Sequence, residues 1–167
     1  MKIVFAGTPS NAAQTLRALA ASAFEVVAVL TRTDAPVGRK KILTPSPVAE
    51  VAAELGIPVI KANRVDADVR AEIEATGADL GVIVAYGALL DQAALDSLPM
   101  GWINLHYSIL PKWRGAAPVQ RAIMAGDRET GVTLFQLDRG MDTGPIHLQI
   151  PTVIEIGRAS CRERVSS

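Results

Sequence analysis

Cysteine is almost absent from this chain of 167 residues, which contains only Cys161. A single cysteine cannot form a disulfide within the chain or build a cluster of cysteine ligands. Histidine is nearly as rare. His106 and His147, with one cysteine, provide too few ligands for an ordinary zinc site. The composition therefore excludes a disulfide-stapled scaffold and predicts chemistry that needs no metal.

Long apolar runs and an excess of either charge are also missing. No apolar segment approaches the roughly 20 residues of a membrane-spanning helix. Lys2 leads straight into a predicted strand, where a signal peptide would place its apolar core. Seventeen basic residues balance seventeen acidic ones, which argues against a general nucleic-acid-binding protein. We expect a cytoplasmic protein without membrane contact, and a monomer.

Apolar residues make up 49% of the chain, enough for one sizeable core. Apolar runs predict seven strands, at 2–5, 25–30, 59–60, 80–84, 102–106, 131–137 and 146–150. Helical segments are predicted between them, at 9–19, 46–55, 67–76, 91–97 and 117–125. This alternation predicts an α/β fold, with a doubly wound, mostly parallel sheet and helices on both faces.

N-cap residues, whose side-chain oxygens accept from backbone N–H groups, predict where several of these helices begin. Thr8 is expected to cap the first helix, with Pro9 at its first helical position. Ser46 and Asp66 are expected to cap the second and third helices.

Asn104 and His106 carry the strongest chemical signal. They stand two residues apart in a predicted strand, so both side chains point to one face near its carboxyl end, where ligands bind in open α/β sheets. An amide can donate to an oxyanion, and an imidazole can carry a proton at working pH. Asp142 could orient or charge that imidazole. With no nucleophile nearby, the set suits group transfer through a tetrahedral oxyanion.

Each of these residues has an ordinary structural alternative. A histidine at a strand end is often a satisfied structural residue, and Asn104 could bond loop backbone. Asp142, between Gly140 and Gly144, could be a turn residue. The joint pattern favours the functional interpretation of all three.

Five ordered blocks resemble the folate-dependent formyltransferases, from residue 1 to about residue 150. The blocks are Phe5-Ala-Gly-Thr-Pro9, Gly38-Arg-Lys-Lys-Ile-Leu-Thr-Pro-Ser-Pro47, Asn104-Leu-His-Tyr-Ser-Ile-Leu-Pro111, Arg114-Gly-Ala-Ala-Pro-Val-Gln120 and Asp142-Thr-Gly144. The resemblance implies the family's Rossmann-like catalytic domain. It also implies transfer of a formyl group from N10-formyltetrahydrofolate to an amine, here the α-amine of initiator methionyl-tRNA at the start of protein synthesis.

The resemblance assigns roles to individual residues. Asn104 and protonated His106 are implied to stabilise the formyl oxyanion, and Asp142 to hold the charge of His106. The residues implied to bind folate are Ser108, Ile109, Leu110, Pro111, Tyr86 and Gly87, with Leu89 and Leu90 as further lining or as plain core. The residues implied to hold tRNA phosphates are Arg39, Lys40 and Lys41, unless they form an ordinary solvated loop.

Several rival functions share the same three residues. A sugar-nucleotide amine formyltransferase and a formyltetrahydrofolate hydrolase do so, but the block 114–120 and the basic loop favour a tRNA acceptor. A glycinamide ribonucleotide formyltransferase fits the opening block less well, and an inactive folate-binding fragment is the non-enzymatic alternative. The single glycine of Gly7-Thr-Pro9 predicts neither a dinucleotide site nor an ATP site.

The last thirteen residues differ from everything before them. Residues 155–167 show neither helical nor strand period, and the back-translation of Glu155 to Val165 resembles read-through into a sequencing adapter. We therefore expect a catalytic domain over 1–154, incomplete at its carboxyl end, followed by a non-native tail. The resemblance implies a second, barrel-like domain that holds tRNA. Since the 167 residues do not include it, we expect this chain to bind a folate analogue at best and to formylate methionyl-tRNA only weakly.

Overall fold

The computed structural model of the chain describes residues 1–155. The predicted tail therefore lies, apart from Glu155, outside the described residues. The strands are β1 Lys2–Gly7, β2 Glu25–Thr31, β3 Ala35–Val37, β4 Ile42–Thr44, β5 Val59–Lys61, β6 Leu80–Val84, β7 Trp102–His106, β8 Glu129–Gln136 and β9 Ile146–Val153. The helices are α1 Ser10–Ala20, α2 Pro47–Glu54, α3 Ala67–Ala75, α4 Gln92–Leu95 and α5 Pro118–Met124.

Seven strands form the central sheet, in the order β5-β2-β1-β6-β7-β8-β9. The first five are parallel, whereas β8 is antiparallel to β7 and β9 is antiparallel to β8. The predicted doubly wound, mostly parallel sheet is confirmed. Chain order reverses between β1 and β6, and ligands bind beyond the carboxyl ends of the strands at such a switch point.

Two apolar clusters cover the two faces of the sheet. Leu16 of α1 and Val48 of α2 pack with Phe5 and Val29 on one face. Residues of α3 and α4, including Ile73 and Leu95, pack on the other face. The prediction of helices on both faces is therefore confirmed.

Trp102 fixes the start of β7 on the α4 side of the sheet. Its ring is fully buried, and its indole N–H donates a 2.8 Å hydrogen bond to the carbonyl of Ala94. The ring packs so closely on β6 that a Cβ atom at Gly81 would lie 2.1 Å from it. Glycine at position 81 is thus what lets the strand that carries Asn104 and His106 pack beside β6.

The predicted cap of α1 is wrong. The helix begins at Ser10 with extended Pro9 as its N-cap residue, and no side chain caps it. The Thr8 hydroxyl instead donates to the backbone carbonyl of Tyr86 at 2.9 Å, which ties the end of β1 to the end of β6. A tertiary hydrogen bond has therefore replaced the local one.

The other two predicted caps are confirmed. The Ser46 hydroxyl accepts from the backbone N–H of Ala49, and the Asp66 carboxylate accepts from that of Val69. Local sequence was sufficient there, even though the Ser46 hydroxyl also forms a 2.6 Å hydrogen bond with the hydroxyl of Thr31, because that contact leaves the cap in place.

The basic segment after β2 was predicted as a loop and contains a two-stranded hairpin instead. Strands β3 and β4 pair antiparallel, from Ala35 opposite Thr44 to Val37 opposite Ile42. The tip between them turns through left-handed backbone at Gly38 and Lys41. In residues 1–155, no helix has the length and apolar character needed to cross a membrane.

Candidate active site

A pocket of about 470 Å³ opens beyond the carboxyl ends of β6 and β7. The segment after β6, the end of β7, the loop before α5 and the loop before β9 each supply part of its wall. Its lining is Ile83, Ala85, Tyr86, Gly87, Ala88, Leu89, Asn104, Leu105, His106, Tyr107, Gly115, Ala116, Ala117, Pro118, Met141 and Asp142. The three candidate catalytic residues are therefore brought together.

Asn104 is the third residue of β7, and it borders the pocket. It is partly buried, and within residues 1–155 no side-chain or backbone group forms a hydrogen bond with its amide group. A strand position between β6 and β8 holds its backbone on both sides. The amide is consequently well placed to donate to a ligand oxygen.

His106 is nearly buried, with its side chain 8% exposed. Its Nε2 atom lies 2.9 Å from the backbone carbonyl of Trp113. A carbonyl can only accept, so Nε2 carries a hydrogen and donates it. The ring also packs edge-on against Phe135, with centroids 6.5 Å apart. The orientation of the imidazole is thereby fixed, and its Nδ1 atom faces Asp142.

Asp142 lies on the other side of the imidazole. Its Oδ2 atom is 3.8 Å from His106 Nδ1 and accepts a 2.6 Å hydrogen bond from the backbone N–H of Gly115. Its backbone is left-handed, with φ of 54°. Gly144 makes that turn possible, because a Cβ atom there would lie 1.8 Å from the carbonyl oxygen of Gln136. The turn interpretation of Asp142 is correct for its backbone and compatible with a function for its carboxylate.

Sequence reasoning missed two groups that hold these side chains. The Trp113 carbonyl fixes the His106 ring, and the Gly115 N–H fixes the Asp142 carboxylate. Both are backbone groups, so side-chain chemistry carries no signal for them.

The segment from Ser108 to Pro111 lies outside the residues that line the pocket. The Ser108 hydroxyl donates to the carbonyl of Lys112, and the Thr133 hydroxyl bridges the backbone of Ser108 and Leu110. Ile109 packs against Gly131, and the Leu110 side chain is buried. This segment shapes the path from His106 to Trp113, and its contact with folate stays a prediction.

Tyr86 and Gly87 line the pocket from the end of β6, as does Leu89. The Tyr86 ring is buried, with its hydroxyl donating to the Ala62 carbonyl. Burial raises the pKa of this phenol, and the nearby Arg32 guanidinium opposes that shift. Leu89 is 87% exposed at the pocket rim, whereas Leu90 packs against the core.

The predicted phosphate-binding residues Arg39, Lys40 and Lys41 are all exposed at the tip of the β3–β4 hairpin. The base of this hairpin is joined to the pocket rim, because Arg32 donates to the Gly87 carbonyl at 2.9 Å. A contact between the tip and a ligand phosphate stays a prediction.

A second depression, of about 630 Å³, lies between α4 and the segment 136–140 and includes none of the three candidate catalytic residues. Among the described residues, no group of three or more His, Cys, Asp or Glu side chains is arranged to hold a metal ion.

The pocket thus combines a free amide, an oriented imidazole and a carboxylate. Such a set can stabilise an oxyanion and relay a proton. Comparison with known families gives the class of protein that carries it. A formyl transferase family model matches residues 1–164. The chain belongs to the formyl transferase family.

Relatives and solved structures agree with this assignment. The formyltransferase chain is 62% identical over 146 residues to the methionyl-tRNA formyltransferase of Clavibacter sepedonicus, covering 87% of the chain and 48% of that protein. It is 53% identical over 159 residues to the methionyl-tRNA formyltransferase of Bifidobacterium adolescentis, covering 94% and 49%. The chain spans about half the length of these curated relatives.

The fold is also that of solved formyltransferases. Phosphoribosylglycinamide formyltransferase from Bacillus halodurans superposes with a TM-score of 0.78 at 23% identity, over 99% of this chain and 88% of that one. The corresponding protein from Streptococcus pneumoniae gives 0.75 at 22% identity, over 99% and 91%. The predicted Rossmann-like formyltransferase fold is confirmed.

Proposed function

We propose that this formyltransferase transfers a formyl group from N10-formyltetrahydrofolate to the α-amine of methionyl-tRNA. The observation that carries the proposal is the convergence of Asn104, His106 and Asp142 in one pocket beyond the sheet. The names of relatives at 53–62% identity support formyl transfer with methionyl-tRNA as the acceptor.

The reaction is the aminolysis of a formamide. The neutral α-amine attacks the formyl carbon, a C–N bond forms, and the carbonyl electron pair moves onto the formyl oxygen. The Asn104 amide and the protonated His106 ring stabilise that oxyanion. Collapse restores the carbonyl and breaks the bond to N10 of the folate.

Two protons complete the balance. The attacking nitrogen loses one proton and the leaving folate nitrogen gains one, so no net proton is consumed. His106, with Asp142 at 3.8 Å, is the group placed to exchange protons with the reacting atoms. Neither a covalent intermediate on the protein nor a redox step is needed.

The formyl donor suits the character of this pocket. A flat pterin needs apolar walls and backbone groups that match its donor and acceptor edge. Leu89 and Met141 supply apolar surface, and the backbone around Tyr86 and Gly87 supplies polar groups. We assign Tyr86 and Gly87 to donor binding, and we keep Ser108 to Pro111 as further candidates for contact with the folate.

The exposed hairpin favours a nucleic-acid acceptor over a small amine. Arg39, Lys40 and Lys41 place three positive charges on a projecting tip whose base is joined to the pocket rim through Arg32 and Gly87. Phosphate contacts of this kind release counterions, and this release supplies most of the non-specific affinity for nucleic acid.

The test is transfer of labelled formyl from N10-formyltetrahydrofolate to methionyl-tRNA, using this chain and any longer product of the same gene. His106→Gln is compared with His147→Gln, because His147 is the chain's other histidine and is exposed outside the pocket. We expect His147→Gln to retain transfer and His106→Gln to lose it. Equal rates for the two variants, or no transfer by the unaltered protein, would overturn the proposal.

A further inference from the structure

Asp127, in the turn between α5 and β8, lies outside the residues that line the pocket and is nonetheless linked to His106. Its Oδ2 atom accepts a 2.8 Å hydrogen bond from the Trp113 indole N–H. Both of its carboxylate oxygens also accept from the Lys112 ammonium at 3.0 Å. One carboxylate therefore holds two consecutive side chains of the loop before α5.

That loop is the one that holds the candidate catalytic groups. The Trp113 carbonyl accepts from His106 Nε2, and the Gly115 N–H donates to Asp142. Backbone position in this loop therefore determines both the tautomer of the imidazole and the placement of the carboxylate.

Trp113 has an unusual backbone that needs support. Its φ is 58°, in the left-handed region that is unfavourable for a residue with a bulky side chain. The Arg121 guanidinium lies over the indole ring at 5.2 Å, and the Lys112 ammonium lies 5.9 Å from its centroid. These contacts and the Asp127 hydrogen bond hold the side chain while its carbonyl points at His106.

The same hydrogen bonds favour the ionised form of the Asp127 carboxylate. The hydrogen bonds from Trp113 and then from Lys112 hold the pKa of this carboxyl below its usual range. The anchor is consequently ionised at neutral pH, and a charged acceptor makes the stronger hydrogen bond to the indole.

We propose that Asp127 is a positioning residue, which holds the Trp113 indole so that the Trp113 carbonyl keeps the hydrogen of His106 on Nε2. Nδ1, the nitrogen that faces Asp142, is then the atom that gains and releases the exchangeable proton. The kinetic consequence rests on the proposed formyl transfer, whereas the tautomer does not.

The tautomer can be measured directly. The chain contains two histidines, so long-range ¹H–¹⁵N correlation of the ¹⁵N-histidine-labelled chain gives two sets of ring signals. His147→Gln assigns them. At a pH where the ring is neutral, we expect the original chain to show a protonated Nε2 and an unprotonated Nδ1 for His106.

Three variants separate the contributions. Asp127→Ala removes the acceptor, and Trp113→Phe removes the indole donor while keeping the backbone carbonyl and an aromatic ring. Both should move the His106 ring signals towards the averaged values of a free imidazole. Asp127→Asn keeps an oxygen that accepts from the indole, so it should retain the original tautomer. Glu54→Gln, which removes an exposed ion-paired carboxylate on α2, should change nothing at His106.

Kinetics supply the second measurement. Asp127→Ala and Trp113→Phe should each lower kcat by about 10–100-fold. This is the range seen when a group that orients a functional histidine by a hydrogen bond is removed, as measured at metal sites. The KM for the formyl donor should stay within about twofold, because neither variant removes a contact that binds the donor in its ground state. The double variant should be no slower than the slower single one, since both remove the same anchor.

The outcomes separate this inference from the proposed function. An unchanged His106 tautomer in folded Asp127→Ala and Trp113→Phe overturns the positioning role. A changed tautomer in a protein that transfers no formyl group under any condition supports the positioning role and overturns the proposed function. Asp127→Asn behaving like Asp127→Ala in the ring signals contradicts the indole hydrogen bond as the link.

Discussion

The Nδ1 atom of His106 lies 3.8 Å from the Oδ2 atom of Asp142, with both side chains nearly buried. The opposite ring nitrogen already donates to the Trp113 carbonyl, so both nitrogens of His106 face oxygen acceptors. At 3.8 Å the Asp142 carboxylate is too far from Nδ1 for a direct hydrogen bond, so the two groups face each other across a gap at the pocket. In the proposed reaction, this is where a hydrogen on Nδ1 would meet the formyl oxyanion.

Removal of one oxyanion donor should slow formyl transfer without weakening donor binding. Asn104→Ala should lower kcat by about 10²–10³, the usual cost of losing one preorganised donor. Asp142→Ala should be similarly severe because the imidazolium loses its counter-charge. The KM for N10-formyltetrahydrofolate should change little for either variant. Steady-state rates with Asn104→Ala near those of the unaltered protein would remove Asn104 from the reaction.

Double substitutions should show that the three groups act as a unit. The combined loss for Asn104→Ala with His106→Ala should be clearly smaller than the product of the single losses. Single-turnover rates measure this coupling without interference from product release. Fully multiplicative losses would mean that the two residues act on separate steps.

Gly144→Ala should destabilise the turn that presents Asp142. Its Cβ atom would lie 1.8 Å from the Gln136 carbonyl oxygen, so the backbone must move, at a cost of about 3 kcal/mol. Gly77→Ala is the matched control, since Gly77 has φ of 65° and open space around it. The control should cost about 1 kcal/mol. Chemical denaturation measures both, and equal costs would contradict the close approach.

The hairpin tip should act on the tRNA and not on the folate. Lys40→Ala with Lys41→Ala should raise the KM for methionyl-tRNA and flatten its dependence on salt, because two phosphate contacts are lost. Lys2→Ala with Arg17→Ala removes the same charge from exposed positions outside the hairpin and the pocket. A salt dependence that is the same for both double variants would count against contact at the tip. Arg39→Ala, added to the first pair, should extend its effect.

Asp127 should contribute to stability at neutral pH and lose that contribution in acid. Hydrogen bonds from Trp113 and Lys112 lower its folded pKa, whereas the unfolded value is about 3.9. The contribution is therefore complete above the unfolded pKa and disappears as the pH falls through the lower folded one. Unfolding of the original chain and Asp127→Asn should differ by a constant amount above about pH 5 and converge below about pH 4. A difference that is independent of pH contradicts the assignment.

The sheet and the candidate catalytic residues were predictable because short-range patterns encode both. Alternation along residues 102–106 places Asn104 and His106 on one face, and the structure has both at the pocket. Ser46 and Asp66 cap helices as their residue types predict. In each case the deciding contact lies within a few residues along the chain.

The errors and omissions have three causes: a contact between distant residues, strands too short to give a clear pattern, and contacts made by backbone groups. Thr8 does not cap α1, because its hydroxyl bonds to Tyr86, 78 residues away. The β3–β4 hairpin was missed because its strands have three residues each and the first contains Pro36. Trp113 and Gly115 act through backbone groups, which no residue pattern identifies.

The most direct test of the central claim is the rate of formyl transfer to methionyl-tRNA by the His106→Ala protein, with the folate affinity measured on the same sample. We expect kcat to fall by at least about 10²–10³ while the affinity for a formyltetrahydrofolate analogue stays within about twofold of the original. That result would locate His106 in the transition state and not in donor binding. A His106→Ala protein with near-original kcat would contradict the account.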